Sequence, residues 1–196
     1  MIGRRVFICG AAALPLAAGA QQGERVRRIG VLMVGEENDP VMKTWVSAFT
    51  QALSGLGWTD GRVRMDLRWG GDDINRIRAL ALELVGLQPD IILTGGTSAT
   101  LAVQRETRTI PIVFGNVSDP IANGIVARLD RPSENVTGFA NYEVSLGGKW
   151  LELLSEIAPG LKRAAIMFNP DIANASIYTP SFETASAALS VRYETS

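Results

Sequence analysis

The sequence contains no histidine and a single cysteine, Cys9, among its 196 residues. Histidine is the usual general base near neutral pH and a common metal ligand, while cysteine supplies nucleophiles, disulfides and thiolate ligands. Most hydrolytic, redox and metal-assisted mechanisms therefore lack their customary side chains, although mechanisms based on carboxylates or lysine stay open. We expect a protein that is not an enzyme and that uses no cofactor and no metal ion.

The sequence also lacks an excess of positive charge. Lysine and arginine number 19 against 20 aspartates and glutamates, which gives a formal net charge of −1. Binding to nucleic acid or to an anionic membrane surface requires a basic patch, and this composition offers no sign of one. We therefore expect no nucleic-acid partner.

The first twenty residues have the pattern of an export signal. Arg4 and Arg5 precede an apolar run over residues 6–16, and Ala18-Gly19-Ala20 forms a small-residue cleavage site. The run is shorter than the roughly 20 residues that a spanning helix needs, so no membrane span is expected in the mature chain. Cys9 lies inside the run, which favours an ordinary signal residue over a lipid-attachment site. We expect cleavage after Ala20, periplasmic localisation and, from the paired arginines, a possible twin-arginine route.

After a linker at residues 21–27, the chain alternates apolar runs with helically spaced apolar residues, which is typical of an α/β fold with a mostly parallel sheet. Residues 63–69 instead alternate apolar and charged side chains, which indicates a strand at a sheet edge. These patterns predict one α/β lobe over residues 28–140, built on a five-stranded, mostly parallel sheet. Its strands are predicted near residues 29–34, 63–69, 90–94, 110–114 and 135–139, and its helices near 40–55, 74–87, 97–107 and 121–129.

Residues 141–196 repeat the pattern on a smaller scale. A helix is predicted over residues 146–157, a strand over 164–168, a weak helix to Leu189 and a further strand from Val191. One strand–helix–strand unit needs neighbours to bury its faces. We therefore expect a second, similar lobe that is begun and truncated.

Residues 90–120 read as strand, polar turn, helix, strand and polar turn. The carboxyl ends of parallel strands meet at one edge of a sheet, and that edge is where open α/β sheets bind ligands. The residues that follow the predicted strands are the candidate site. They are Gly35, Glu36, Thr97, Ser98, Ser118 and Asp119, together with Asn141 at the crossing to the second lobe and Asn169 after its first strand.

These side chains suit binding better than catalysis. Thr97 and Ser98, at a helix start, could hold a carboxylate with the free N–H groups there, and Asp119 or Glu36 could pair with an ammonium group. An amino acid or a similar small zwitterion would satisfy both. Each residue also has a structural alternative: Thr97 or Ser98 could simply cap the helix, and Asp119-Pro120 could repeat the cap-then-proline pattern of Asp39-Pro40.

Many short motifs occur in the order found in one known family. They include Ile29-Gly-Val-Leu32, Thr94-Gly-Gly-Thr97, Ile110-Pro-Ile-Val113, Ser118-Asp119-Pro120, Asn135-Val-Thr-Gly138 and Lys149-Trp-Leu-Glu-Leu-Leu154, with the segment 49–58 and the end of the signal. On these motifs the chain resembles the substrate-binding proteins of ABC transporters related to tryptophan- and tyrosine-type uptake proteins.

The resemblance implies a type I periplasmic binding protein. Its two Rossmann-like lobes would hold a small solute in the cleft between them and deliver it to an ABC permease with its ATPase, with this chain as an N-terminal fragment. A ligand-sensing domain or a small-molecule enzyme on the same two-lobe fold remains the alternative. A dinucleotide enzyme is disfavoured, because the segment after the first strand, Val34-Gly-Glu-Glu-Asn-Asp39, lacks the Gly-x-Gly-x-x-Gly pattern.

Overall fold

The computed structural model describes residues 25–132, 135–168 and 175–195. The predicted export signal, Cys9 and the candidate Asn169 lie outside the described residues. The strands and α-helices follow in chain order: β1 (Arg27–Met33), α1 (Pro40–Gly55), β2 (Val63–Trp69), α2 (Ile74–Gly86), β3 (Ile91–Gly95), α3 (Thr97–Glu106), β4 (Ile112–Ser118), β5 (Val136–Tyr142), α4 (Leu146–Ile157), β6 (Arg163–Ile166), α5 (Thr179–Leu189) and β7 (Arg192–Thr195).

The first five strands form one sheet, which we call the large sheet, in the order β2-β1-β3-β4-β5 with every pairing parallel. The predicted α/β class with a parallel sheet is confirmed. The strand with the period-two pattern, β2, lies at the edge as expected. Because the strands are parallel, their carboxyl ends all lie along one edge.

The first two helices begin with the same device. Oδ1 of Asp39 accepts hydrogen bonds from the backbone N–H groups of Val41 and Met42, and Asp73 does the same for Asn75 and Arg76. An aspartate at this position satisfies N–H groups that have no partner within the helix. The predicted cap at Asp39, followed by proline, is confirmed.

The two faces of the large sheet are covered unequally. Helices α2 and α3 pack on one face, where fully buried residues such as Leu32, Ile77, Leu84, Ile92 and Val103 form the main core. Helix α1 packs alone on the opposite face, against alternate residues of β1, and none of its residues is buried. Trp45 of this helix is 39% exposed.

The remaining strands, β6 and β7, pair in parallel as a second sheet, which we call the small sheet. A 3₁₀-helix (Ala175–Tyr178) leads into α5, which packs against α4. Leu151, Phe182, Ala185 and Val191 form the buried core of this part. The predicted helix–strand–helix–strand order is confirmed, whereas the boundary between two lobes at residue 140 stays a prediction.

The helix predicted over residues 121–129 is wrong. These residues form turns, in which Pro120 accepts hydrogen bonds from the N–H groups of Ile125 and Val126. The side chain of Asn123 donates to the carbonyls of Ser118 and Asp119, and Gly124 has a φ of 70°. A positive φ ends a right-handed helix, so the chain completes one turn and leaves.

The polar turn predicted over residues 115–120 is wrong for residues 115–118, because β4 continues to Ser118. Its pairing with β5 shifts register between Phe114 and Val117 and again before Ser118, and Asn116 has a φ of 54°. Such irregularities turn side chains away from the regular alternation of a strand. Asn116 and Ser118 thus lie at the carboxyl end of β4, where both side chains form hydrogen bonds with Asn141.

Candidate ligand-binding site

A cavity of about 430 Å³, which we call the cleft, lies at the carboxyl ends of β1, β3 and β4. It separates the large sheet from the small sheet and its helices α4 and α5, which together we call the small-sheet unit. The volume of the cleft falls within the range typical of small-molecule sites. Its two walls differ in chemistry.

The wall from the large sheet is mainly polar, with the start of α3 at its centre. No side chain caps this helix; the N-cap position is Gly96, with a φ of 108°. The N–H groups of its first turn, beginning with Thr97, have no acceptor within the helix. They also carry the positive end of the helix dipole, so this part of the wall favours an anionic group.

Ser98 adds an unsatisfied donor at the same place. The residue is 6% exposed and lines the cleft, and its Oγ is buried without a hydrogen-bond partner among the described residues. Leaving a buried hydroxyl unpaired costs about 1–3 kcal/mol. A ligand oxygen placed at the helix start could accept its hydrogen bond and recover part of that cost.

Two buried hydroxyl groups hold the start of α3 from below. Oγ1 of Thr100 donates to the carbonyl oxygen of Gly96 at 2.8 Å and lies 2.8 Å from Oγ1 of Thr94. Because the single hydroxyl hydrogen of Thr100 is used on Gly96, Thr94 must donate to Thr100. The Gly96 carbonyl is thus held toward the helix. The N–H of Thr97, on the opposite side of the same planar peptide, points the other way.

The wall from the small-sheet unit is apolar and largely aromatic. Trp150 of α4 lies with its ring centre 5.4 Å from that of Tyr178 and 6.3 Å from that of Phe182. Trp150 is 39% exposed, and all three residues line the cleft. Tyr142, at the end of β5, meets Trp150 edge to face at 6.1 Å. These spacings are those of favourable aromatic pairs, and they leave Trp150 as a rigid platform at the cleft.

The structure brings together four of the predicted site residues. Gly35, Thr97, Ser98 and Ser118 line the cleft. Gly35 has a φ of 98° and exchanges backbone hydrogen bonds with Gly71, which turns the chain as it leaves β1.

Three other predicted residues do not line the cleft. Glu36 is exposed, and its carboxylate lies over Gly71 at the β2 side. Asp119 accepts a hydrogen bond from the N–H of Ala122 at 2.9 Å, which closes a turn where the capping alternative expected a helix. Asn141 is exposed; its side chain donates to Oδ1 of Asn116 and its Oδ1 accepts from Ser118 at 3.5 Å. It lines a neighbouring cavity of about 380 Å³ beside α1.

Sequence reasoning missed several residues that line the cleft. The polar ones are Asp39, Asn116 and Asn123, and the aromatic ones include Trp150, Tyr178 and Phe182. Asp39 was interpreted only as a helix cap and Asn116 as part of a turn. Trp150 fits the apolar stripe of α4, and helical spacing cannot distinguish a core position from a cleft wall.

A group of charges lies at the other end of the large sheet. Nε of Arg28 donates to Asp66 at 2.5 Å, and the backbone N–H of Arg28 donates to Asp90 at 2.8 Å. The hydrogen bond from Arg28 lowers the pKa of Asp66 against the opposing effect of burial, and the Arg28 N–H likewise lowers the pKa of Asp90. These contacts fasten the start of β1 to its neighbours β2 and β3.

No group of three or more histidine, cysteine, aspartate or glutamate side chains that could hold a metal ion occurs among the described residues. Among the described residues, those that line the cleft supply hydroxyls, amides, backbone N–H groups, one carboxylate and aromatic rings. That set of groups can hold a ligand that is polar at one end and apolar at the other.

The chain is 28% identical over 159 residues to a tyrosine-binding protein from Clostridioides difficile, a match that covers 81% of this chain and 45% of the relative. Thus the chain spans about half the length of the curated relative it matches.

Solved structures of similar fold come from several bacteria. A conserved domain protein from Vibrio cholerae O1 biovar El Tor superposes with a TM-score of 0.79 at 25% identity, covering 88% of this chain and 57% of that one. An ABC domain from Streptococcus pneumoniae, solved in complex with L-Trp, gives a TM-score of 0.77 at 21% identity, covering 87% and 56%. The second likeness shows the fold alone.

The family model described as ABC transporter substrate binding protein matches residues 28–189. That match includes every strand of the large sheet and the helices that carry both walls of the cleft. The chain therefore belongs to the family of ABC transporter substrate binding proteins.

Proposed function

We propose that this chain is the solute-binding component of an ABC importer. It binds an amino acid or a similar small zwitterion in the cleft and hands it unchanged to a permease that works with an ATPase. Family membership supports this role, and the two unlike walls of the cleft support the ligand class. The tyrosine-binding relative makes aromatic amino acids the first ligands to test.

The observation that carries the proposal is the pairing of the α3 start with the aromatic wall. The ligand carboxylate would lie at the N–H groups of Thr97 and its neighbours. It would also accept a hydrogen bond from the unpaired hydroxyl of Ser98. The apolar part of the ligand would lie against Trp150. Ser118 and Gly35 would contact the ligand from the polar wall.

The predicted division into a lobe at residues 28–140 and a second lobe at 141–196 is part of this proposal. Each lobe would supply one wall. Asn141, bonded to Asn116 and Ser118 across β4 and β5, lies where the chain crosses between them. Asn169, the remaining predicted contact, belongs to the second lobe.

Isothermal titration calorimetry with L-tyrosine, L-tryptophan, L-phenylalanine and a panel of small polar amino acids tests the proposal. We expect saturable binding of at least one aromatic amino acid. Trp150→Ala should weaken that binding by about tenfold, since tryptophan is enriched among the contact residues whose truncation costs more than about 1 kcal/mol. Leu153→Ala is the matched control, because Leu153 lies on the same helix, is 52% exposed and does not line the cleft.

Equal binding of wild type and Trp150→Ala would contradict the assignment of the aromatic wall. Absence of binding to every member of the panel would contradict the proposed function itself. Chromatographic recovery of the ligand after long incubation separates binding from catalysis: any turnover would favour an enzyme on the same fold, and full recovery is the expected result.

We also propose that the mature protein is periplasmic. No helix in the described ranges is long and apolar enough to cross a membrane. Export would remove residues 1–20, and the arginine pair Arg4-Arg5 would direct the twin-arginine route. Mass spectrometry of the exported protein should give Gln21 as the first residue, and Arg4→Lys with Arg5→Lys should block export. A protein that keeps residues 1–20 in the cytoplasm would contradict the assignment.

A further inference from the structure

Asp39 is the only charged side chain that lines the cleft among the residues that the structure describes. It is half-buried and lies just before α1. The two acidic residues that sequence reasoning paired with a ligand ammonium, Glu36 and Asp119, do not line the cleft. An ammonium group that enters this cleft therefore meets the carboxylate of Asp39, and not that of Glu36 or Asp119.

The carboxylate of Asp39 is held in place by its role as a helix cap. Its Oδ1 accepts from the N–H of Val41 at 2.7 Å and from that of Met42 at 3.3 Å. Its backbone N–H donates to Glu36, and its carbonyl accepts from Lys43. Oδ2 makes no hydrogen bond to any described residue. One oxygen is thus fixed by the helix while the other remains free for a further donor.

The segment that carries Asp39 runs beside the one that carries Thr97 and Ser98. β1 and β3 are neighbouring strands, and the N–H of Val34 donates to Gly95 at 2.9 Å just beyond their regular pairing. The side chain of Val34 contacts Gly96 so closely that a Cβ there would meet it at 2.9 Å. The two chain segments therefore leave the sheet side by side and line the same wall.

An α-amino acid carries its ammonium and carboxylate groups on one carbon atom, so a site for it needs a negative and a positive pole close together. The start of α3 supplies the positive pole and Asp39 supplies the negative one. We infer that Asp39 recognises the ammonium group of the bound amino acid through Oδ2 and so selects amino acids over simple carboxylic acids. This inference rests on the proposed function.

A pair of matched variants tests it. Asp39→Asn removes the charge and keeps an oxygen for the cap, since asparagine caps helices as well as aspartate does. Asp73→Asn makes the same change at α2, where Asp73 caps Asn75 and Arg76 in the same way but does not line the cleft. The two variants should therefore have similar melting temperatures.

Calorimetry with L-tyrosine and with 3-(4-hydroxyphenyl)propanoate, which lacks the amino group, gives the deciding ratio. Wild type and Asp73→Asn should prefer tyrosine. Asp39→Asn should bind tyrosine at least about tenfold more weakly, because the neutral amide cannot replace the charge-assisted hydrogen bond to the ammonium group. Its affinity for the propanoate should be unchanged or higher, since a repelling charge has been removed.

The outcomes separate the inference from the proposed function. Equal weakening of both ligands by Asp39→Asn, or an unchanged ratio, would overturn the role of Asp39 while leaving the solute-binding function intact. If wild-type protein binds the propanoate as tightly as tyrosine, the amino group is not recognised and the inference is wrong. If wild type binds no amino acid of the panel, the proposed function fails and the inference fails with it.

Discussion

Removing the hydroxyl of Thr100 should destabilise the protein more than removing that of Thr94, although the two groups share one hydrogen bond. Thr100→Val deletes the donor to Gly96 and leaves the hydroxyl of Thr94, which is fully buried, without a partner. A lost hydrogen bond costs about 0.5–1.5 kcal/mol and an unpaired buried hydroxyl about 1–3 kcal/mol more. We expect a loss of about 2–4 kcal/mol in the free energy of unfolding.

Thr94→Val removes the donor from the other end and leaves Thr100 bonded to Gly96, so it should cost only about 1 kcal/mol. In the double variant no hydroxyl is stranded, because both partners are apolar and of similar shape. Its cost should be about 1–2 kcal/mol, which is less than the sum of the two single losses by at least about 1 kcal/mol. Thr100→Ser keeps the hydroxyl and serves as the conservative control.

Urea denaturation of the four variants and the wild type, followed by circular dichroism and extrapolated to water, measures these differences. The decisive quantity is the coupling free energy between the two sites. Losses that simply add would refute the reasoning, because they would mean that the two hydroxyl groups do not bond to one another. A Thr100→Val variant as stable as wild type would refute the hydrogen bond to Gly96.

Two further outcomes follow from the structure. Because the pKa of Asp66 is lowered, its contribution to stability is fully present above the unfolded aspartate pKa of about 3.9 and is lost as the pH falls through the folded value. Denaturation midpoints measured against pH should show this loss at acid pH in wild type and in the control Asp72→Asn. The loss should be smaller in Asp66→Asn. Gly138→Ala should destabilise by about 3 kcal/mol or prevent folding, because its Cβ would overlap the carbonyl oxygen and ring of Phe114, whereas Gly55→Ala, with nothing within 4 Å, should leave the melting temperature unchanged or raise it.

The sequence was sufficient for the regular parts of the fold. Strands β1 and β3 are short apolar runs and β2 alternates, so their type and the edge position of β2 could be predicted from hydrophobic periodicity alone. The caps at Asp39 and Asp73 marked two helix starts within the sequence itself. These features depend on neighbours in the chain, which is why the sequence reveals them.

The errors lie where the geometry of a turn or contacts between distant residues decide the conformation. Residues 121–129 have helical spacing, but Asn123 and Gly124 close a single turn instead. Asn116 was interpreted as part of a turn because the irregular pairing of β4 with β5 cannot be seen in β4 alone.

The sequence predicted residues of only one wall of the cleft, for a related reason. The rule that ligands bind at the carboxyl ends of parallel strands found Thr97, Ser98 and Ser118. It gave no information about the opposite wall, where Trp150 and Tyr178 meet the cleft through the packing of α4 against the segment before α5. It named Glu36, which does not line the cleft, and not Asp39, which does, since the direction of a turn is not encoded in a strand pattern.

The polar wall is built on backbone bends of Gly35, Gly96 and Asn116, each with a positive φ. Those bends, not the identities of the side chains around them, determine where the wall lies. Neighbouring positions such as Thr97 and Ser118 are half-buried and lie outside the sheet core. If the proposed function holds, substitutions there would change which solute is preferred while the large sheet folds as before, so relatives of this chain would differ in ligand without differing in fold.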